Sequence, residues 1–169
     1  ITLGAVLAKK FGNEIVVFPL LLSALGIIAS LIGIMYVKSY KGDNPQKALN
    51  GGSAISGTIV LIAGFILCKM LLGEIKIFYP VIAGLAVGLL IGKITEYYTS
   101  AEYKSVQLIA NESETGPATN IIAGLSVGMK STVAPILLIV IGILISYFAI
   151  GGANDTALGL YGIALAAVG

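Results

Sequence analysis

The 169-residue chain has no histidine, no arginine, no tryptophan and a single cysteine, Cys68. Each absence removes a class of chemistry. Without histidine there is no serine–histidine hydrolytic pair, and one cysteine cannot close an intramolecular disulfide. The two shortages together leave no ligand set for zinc or an iron–sulfur cluster. Cys68 lies within an apolar run, where a thiol behaves as a small inert hydrophobe. Charge is scarce as well: 11% of residues are charged, against about 25% in a soluble domain, too few to coat a water-facing surface. The net charge of +2 is too small to point to nucleic acid. What is abundant is apolar surface, with 57% hydrophobic residues and a mean hydropathy of +1.02. Long uncharged runs make the chain an all-α integral membrane protein, a multi-span helical bundle.

Four complete spans are expected, at about 15–37, 53–72, 77–95 and 117–150, in a single membrane region covering 1–169. Pro19 falls near the start of the first, where a missing N–H costs little. The first polar loop, Lys38 to Lys47, contains Asp43-Asn44-Pro45, good turn chemistry, and Asn50 or Ser53 is placed to cap the second span. Gly73-Glu74-Ile75-Lys76 reads as a tight reversal, and a short surface helix is expected from Ala101 to Asn111. From Pro117 to Ile150 the helical pattern exceeds what a bilayer needs, so Pro117–Lys130 reads as an extension continuous with a span from Ser131. Pro135, one turn into that span, is a candidate kink. Gly151–Thr156 forms another short loop, with a fifth helix starting near Ala157. The end runs 1–8 and 157–169 are shorter than the roughly 20 residues of a span, and the chain does not begin with Met, so an internal piece of a larger protein is expected. No signal peptide is visible.

Lys38, Lys41, Lys47, Lys93, Lys104 and Lys130 fall on the side of the two large loops, and Lys9, Lys10, Lys69 and Lys76 on the other. The bias places both large loops in the cytoplasm. Gly84, Gly88 and Gly92 recur every fourth residue, and Gly124 and Gly128 repeat the spacing. Such ridges let helices approach closely in a bilayer. They read equally as a specific helix or subunit interface, or as the ordinary glycine content of membrane helices.

The eight acids, Glu14, Asp43, Glu74, Glu96, Glu102, Glu112, Glu114 and Asp155, do not form the dense carboxylate cluster that magnesium–phosphate chemistry needs. Gly51-Gly52-Ser53 is much shorter than a phosphate loop. No catalytic, cofactor-binding or metal-binding residue is therefore assigned within the chain. The longest polar interval, from Thr95 through Lys104 and on to Asn120, holds the candidate loop or coupling positions: Glu96, Tyr97, Tyr98, Thr99, Ser100 and Lys104, with Lys130 beyond it. Glu96 follows Lys93 by three residues and can pair with it on one helical face. It reads either as a functional acid at a span's end or as an interfacial anchor beside Tyr97 and Tyr98. Lys130 is either an intramembrane lysine with a carboxylate partner or a headgroup-level lysine, and the second fits better because Ser131–Ile150 spans a bilayer alone.

The strings Thr95-Glu96-Tyr97-Tyr98-Thr99-Ser100, Tyr103-Lys104-Ser105-Val106-Gln107, Thr115-Gly116-Pro117-Ala118-Thr119-Asn120-Ile121-Ile122 and Gly124-Leu125-Ser126-Val127-Gly128-Met129-Lys130-Ser131 stand out. With Asp43-Asn44-Pro45-Gln46 and Gly159-Leu160-Tyr161-Gly162-Ile163-Ala164, they make nearly the whole chain resemble the ion-pumping membrane pyrophosphatases. The resemblance implies about sixteen helices in an inner and an outer ring, and a homodimer. It places this piece from the end of the sixth helix to the start of the eleventh, its four complete helices in the outer ring and the tenth at the dimer interface. It implies magnesium-dependent hydrolysis of pyrophosphate, with K⁺ as a further possible cofactor, driving H⁺ or Na⁺ across a prokaryotic cell membrane. The residues that bind pyrophosphate and choose the ion match no position here. The alternative from another class is a helical segment of a secondary transporter without hydrolytic activity, since Gly-interrupted helices fit both. A structural membrane subunit is a third reading.

Overall fold

The computed structural model describes residues 2–40, 42 and 45–168. Among these described residues seven α-helices follow in order: α1 (Thr2–Phe11), α2 (Glu14–Ser39), α3 (Pro45–Leu71), α4 (Tyr79–Thr99), α5 (Lys104–Thr115), α6 (Pro117–Ala149) and α7 (Thr156–Ala166), with a short 3-10 helix, Ile75–Phe78, ahead of α4. No strand occurs among the described residues. The chain is all-α, and α2, α3, α4 and α6 belong to the four segments long and apolar enough to cross a membrane. At 1.5 Å per residue, the 33 residues of α6 reach about 50 Å, well beyond a hydrocarbon core of about 30 Å.

Several boundaries correct the sequence reading. Neither Asn50 nor Ser53 caps α3, because the helix already begins at Pro45. Proline suits that first position: its missing N–H would be unsatisfied there and its φ is preset for a helix. The first loop therefore shrinks to residues 40–44, of which Lys41, Asp43 and Asn44 lie outside the described residues. The surface helix runs over Lys104–Thr115 rather than Ala101–Asn111, because a turn from Ser100 to Tyr103 intervenes. Pro117 opens α6 as Pro45 opens α3.

The chain forms two compact units. The first, Ile1–Leu85 with Ile145–Gly169, has an apolar centre of Ile15, Phe18, Leu22, Cys68, Val81, Tyr161 and neighbouring side chains. Cys68 is buried there, its thiol donating to the Glu74 carbonyl at 3.5 Å. Pro19 lies inside α2. Having no N–H, it leaves the carbonyl of Ile15, four residues back, without its helical donor. An unpaired carbonyl in an apolar interior costs free energy, and Tyr161 of α7 supplies the missing donor, its hydroxyl lying 2.6 Å from the Ile15 oxygen in a buried bond. The proline in α2 thus leaves a buried acceptor that a side chain of α7 fills.

α2 and α3 meet where Gly33 faces Gly52: a Cβ on Gly33 would stand 2.9 Å from the Gly52 carbonyl oxygen. Further along this unit, a Cβ on Gly84 would overlap the backbone carbonyl of Ala166 in α7, and one on Gly162 would meet the Ser146 carbonyl at 2.6 Å. The second unit, Ala86–Leu144, contains the end of α4, α5 and most of α6. Here a Cβ on Gly142 would meet the Val87 side chain, its nearest methyl at 3.0 Å.

Candidate functional site

The polar interval between α4 and α6 forms its own small structure within the second unit. α4 ends as Thr99 turns its hydroxyl back to the Thr95 carbonyl (2.8 Å) and the Ser100 N–H reaches the Glu96 carbonyl (2.9 Å). The chain then reverses over four residues, with the Tyr103 N–H donating to the Ser100 carbonyl at 3.2 Å. Gln107 closes the turn from the far side, its side-chain amide donating to the carbonyls of Ala101 (3.4 Å) and Glu102 (3.3 Å). A glutamine one turn into a helix is well placed for this because its amide reaches back over the helix entrance.

Aromatic contacts hold the same turn. The Tyr97 ring lies 5.2 Å from Tyr98, nearly perpendicular at 88°, and 5.0 Å from Tyr103. Edge-on and tilted pairs at this spacing are favourable contacts. Glu96, Tyr98 and Ser100 are half-buried, and Lys104 is exposed at the first position of α5. The structure therefore brings Glu96, Tyr97, Tyr98, Thr99, Ser100 and Lys104 into one turn. Lys130 stands apart, exposed in the middle of α6 and outside the contacts of the tyrosine cluster.

Three residues escaped the sequence reading as site members: Gln107, Thr115 and Thr119. The last two bracket Gly116, whose φ of +148° breaks α5 from α6. Thr115 donates to the Glu112 carbonyl (2.8 Å), and its hydroxyl lies 2.6 Å from that of Thr119, which is 2.8 Å from the Gly116 carbonyl. These short hydroxyl links replace the helical bonds lost at the break. Asn120 Oδ1, just beyond, is buried with no hydrogen-bond partner among the described residues. The Thr-Gly-Pro-x-Thr spacing was the available signal, since glycine breaks a helix, proline restarts one, and threonine bonds locally to backbone.

The glycine ridges separate in the structure. Gly84 meets Ala166, whereas Gly88, Gly92, Gly124 and Gly128 have open space where a Cβ would project. No group of three or more possible metal ligands occurs among the described residues. No reaction step is assigned to the acids of this chain. The arrangement is a braced polar connector between membrane-length helices, with an open groove of about 290 Å³ along the exposed face of α5.

The sequence model of the Inorganic H+ pyrophosphatase family matches residues 1–169. The chain is 56% identical over 170 residues to a Clostridium tetani protein with the provisional name of a K(+)-stimulated pyrophosphate-energized sodium pump, covering 100% of this chain and 25% of that protein. It is 43% identical over 166 residues to a K(+)-insensitive pyrophosphate-energized proton pump of Methanosarcina mazei, covering 98% of this chain and 25% of the relative. Against a K(+)-stimulated pyrophosphate-energized sodium pump of Thermotoga maritima the identity is 37% over 176 residues, covering 95% and 23%. The chain spans about a quarter of the length of these curated relatives. With a match over its full length and four membrane-length segments, this integral membrane chain belongs to the inorganic H⁺ pyrophosphatase family.

Proposed function

We propose that the protein containing this chain hydrolyses pyrophosphate to phosphate and uses the reaction to drive H⁺ or Na⁺ across a prokaryotic cell membrane. The single observation that carries this reading is the family match over residues 1–169. Magnesium, the expected metal, is held by residues outside this chain, in keeping with its dispersed acids. The relatives named above include both K(+)-stimulated and K(+)-insensitive pumps, so K⁺ is a possible further cofactor. Within the pump this chain serves as outer-ring scaffold, with the 40–44 loop and the polar connector between α4 and α6 on the cytoplasmic side and α6 at a homodimer interface. The open glycines Gly124 and Gly128 support that role, because their faces admit a close helix neighbour. Glu96, at the junction of α4 and the braced turn, positions the cytoplasmic connector over the hydrolytic site.

The test is phosphate release by the full-length protein in sealed vesicles, with and without magnesium, while ion uptake is followed in parallel. Magnesium-dependent release coupled to uptake is expected, and varying sodium names the ion. Ion movement with no hydrolysis would leave a secondary transporter. Glu96→Gln in the same vesicles is expected to lower the ratio of ions moved to phosphate released. An unchanged ratio and rate would make Glu96 an anchor only.

A further inference from the structure

A groove of about 510 Å³ runs along one side of the α2–α3 pair, a volume within the range of small-molecule pockets. On α2 its lining includes Ser30, Gly33 and Val37, one helical turn apart, and it ends at Lys38. On α3 Gly52, Ser53 and Ser56 face it. The small residues make the floor: close contact of Gly33 with Gly52 leaves a slot where larger side chains would fill the seam.

The floor is mainly apolar in spite of Ser30 and Ser56. Ser30 donates to the Ile27 carbonyl at 2.9 Å, and Ser56 to the Gly52 carbonyl at 2.9 Å. Both of these hydroxyls are thus turned onto their own helices, leaving the Ser53 hydroxyl as the one serine group that faces a slot otherwise lined by hydrocarbon. From Ser30 to Lys38 the groove extends about 12 Å along the axis of α2. At the Lys38 end it opens beside the short polar loop, which places that end at headgroup level. The interval 38–47 holds three lysines, Lys38, Lys41 and Lys47, against one acid, Asp43.

We propose that this groove is a binding site for an anionic phospholipid, with an acyl chain in the Gly33–Gly52 slot and the headgroup phosphate at Lys38. Charge complementarity selects this occupant. An apolar slot with an exposed lysine at one end matches an amphiphile with a hydrocarbon tail and an anionic head. A membrane helix would fill the slot but would have to bring its own acid to the same depth. Basic residues at the membrane surface attract anionic lipid headgroups. The inference does not depend on the hydrolytic reading, and its test measures no hydrolysis.

The full-length protein is reconstituted in vesicles of equal phosphatidylglycerol and phosphatidylcholine, extracted gently, and weighed with its bound lipids by native mass spectrometry. The wild type is expected to retain phosphatidylglycerol preferentially. Lys38→Gln, at an exposed helix end, is expected to lower that retention about fivefold, as loss of one surface lysine predicts, with phosphatidylcholine unchanged. Ser53→Leu, which fills the slot, is expected to displace the lipid whatever its head. Phosphatidylglycerol carrying a photoreactive acyl chain is expected to label peptides from the Gly33–Ser56 region. Equal retention by the wild type and Lys38→Gln would overturn the proposal. So would labelling confined to other regions, or a cross-linker at position 53 captured by another helix of the protein.

Discussion

The two units of this chain use the same small-residue vocabulary to opposite effect. In Ile1–Leu85 with Ile145–Gly169, glycines close seams: Gly33 on Gly52, Gly84 on Ala166, Gly162 on Ser146. Large side chains such as Phe18, Leu22, Val81 and Tyr161 are buried around them. In Ala86–Leu144, the glycines at 88, 92, 124 and 128 face nothing. Ala123 and Gly142 are that unit's buried residues among those described, and no large side chain is. A four-residue glycine spacing is therefore a licence for close contact rather than evidence that contact is made. The first unit has used it internally; the second still offers it outward.

Substitution of the ridge glycines separates the two cases most strongly. Gly84→Ala drives a methyl group into the Ala166 backbone, which cannot yield as a flexible side chain would. A loss of about 3 kcal/mol or more is expected, at the upper end of overpacking effects. Gly88→Ala meets open space, and the better helix propensity of alanine makes it neutral or stabilising by up to about 1 kcal/mol. Thermal unfolding of the full-length protein in detergent measures both. Equal losses at 84 and 88 would show that Gly88 is also covered in the assembled protein, and the contrast between the units would disappear.

A smaller effect tests what holds α7 to the first unit. Tyr161→Phe removes the donor to the Ile15 carbonyl and is expected to cost roughly 1–2 kcal/mol. The reason given, that Pro19 orphaned the carbonyl, makes a sharper statement. In a Pro19→Ala background the alanine N–H serves Ile15, so the same Tyr161→Phe change should cost about half as much. The double-mutant cycle measures that coupling directly. Additive losses would mean that Tyr161 acts by packing alone and that the proline is incidental.

The contrast between seams and open ridges also marks what the sequence can express. Membrane-length helices were legible because hydropathy and length are local properties, and the helix break at 116–117 was legible in Gly116-Pro117. The start of α3 was misread for a physical reason. Asn50-Gly51-Gly52 resembles a helix entrance, yet Gly52 stays helical because it packs against Gly33, a tertiary contact that outweighs its poor propensity. Pro19 reads in the sequence as costing little near the start of its span, but α2 already begins at Glu14, so the proline leaves the Ile15 carbonyl without its helical donor. Nothing local named the replacement, which lies 146 residues away. For the candidate site, the residues of the turn were visible as a polar interval. Their bracing by Gln107 was not, because glutamine on an exposed helix usually faces water.

The smallest expected effect concerns how each unit begins its short helix. α7 starts with a side-chain cap: Asp155 Oδ1 accepts from the N–H groups of Ala157 (3.1 Å) and Leu158 (3.4 Å). α5 follows Tyr103, which gives it no side-chain cap, and leans instead on Gln107 and the tyrosine rings. Asp155→Ala should cost about 1 kcal/mol, the usual worth of a cap, whereas Asp155→Asn keeps the acceptor and should cost only a few tenths. Were the two equal, the charge at the helix N-terminus rather than the hydrogen bonds would be the stabilising feature. The corresponding change in the other unit, Gln107→Ala, leaves the Ala101 and Glu102 carbonyls to water. It should therefore loosen the turn without shifting the unfolding midpoint, a difference that amide hydrogen exchange over residues 100–107 would register while global stability stays constant. A cap that matters to stability in one unit and a brace that matters only to local order in the other follow from the same asymmetry: α7 is buried in a core, and α5 has no buried residue.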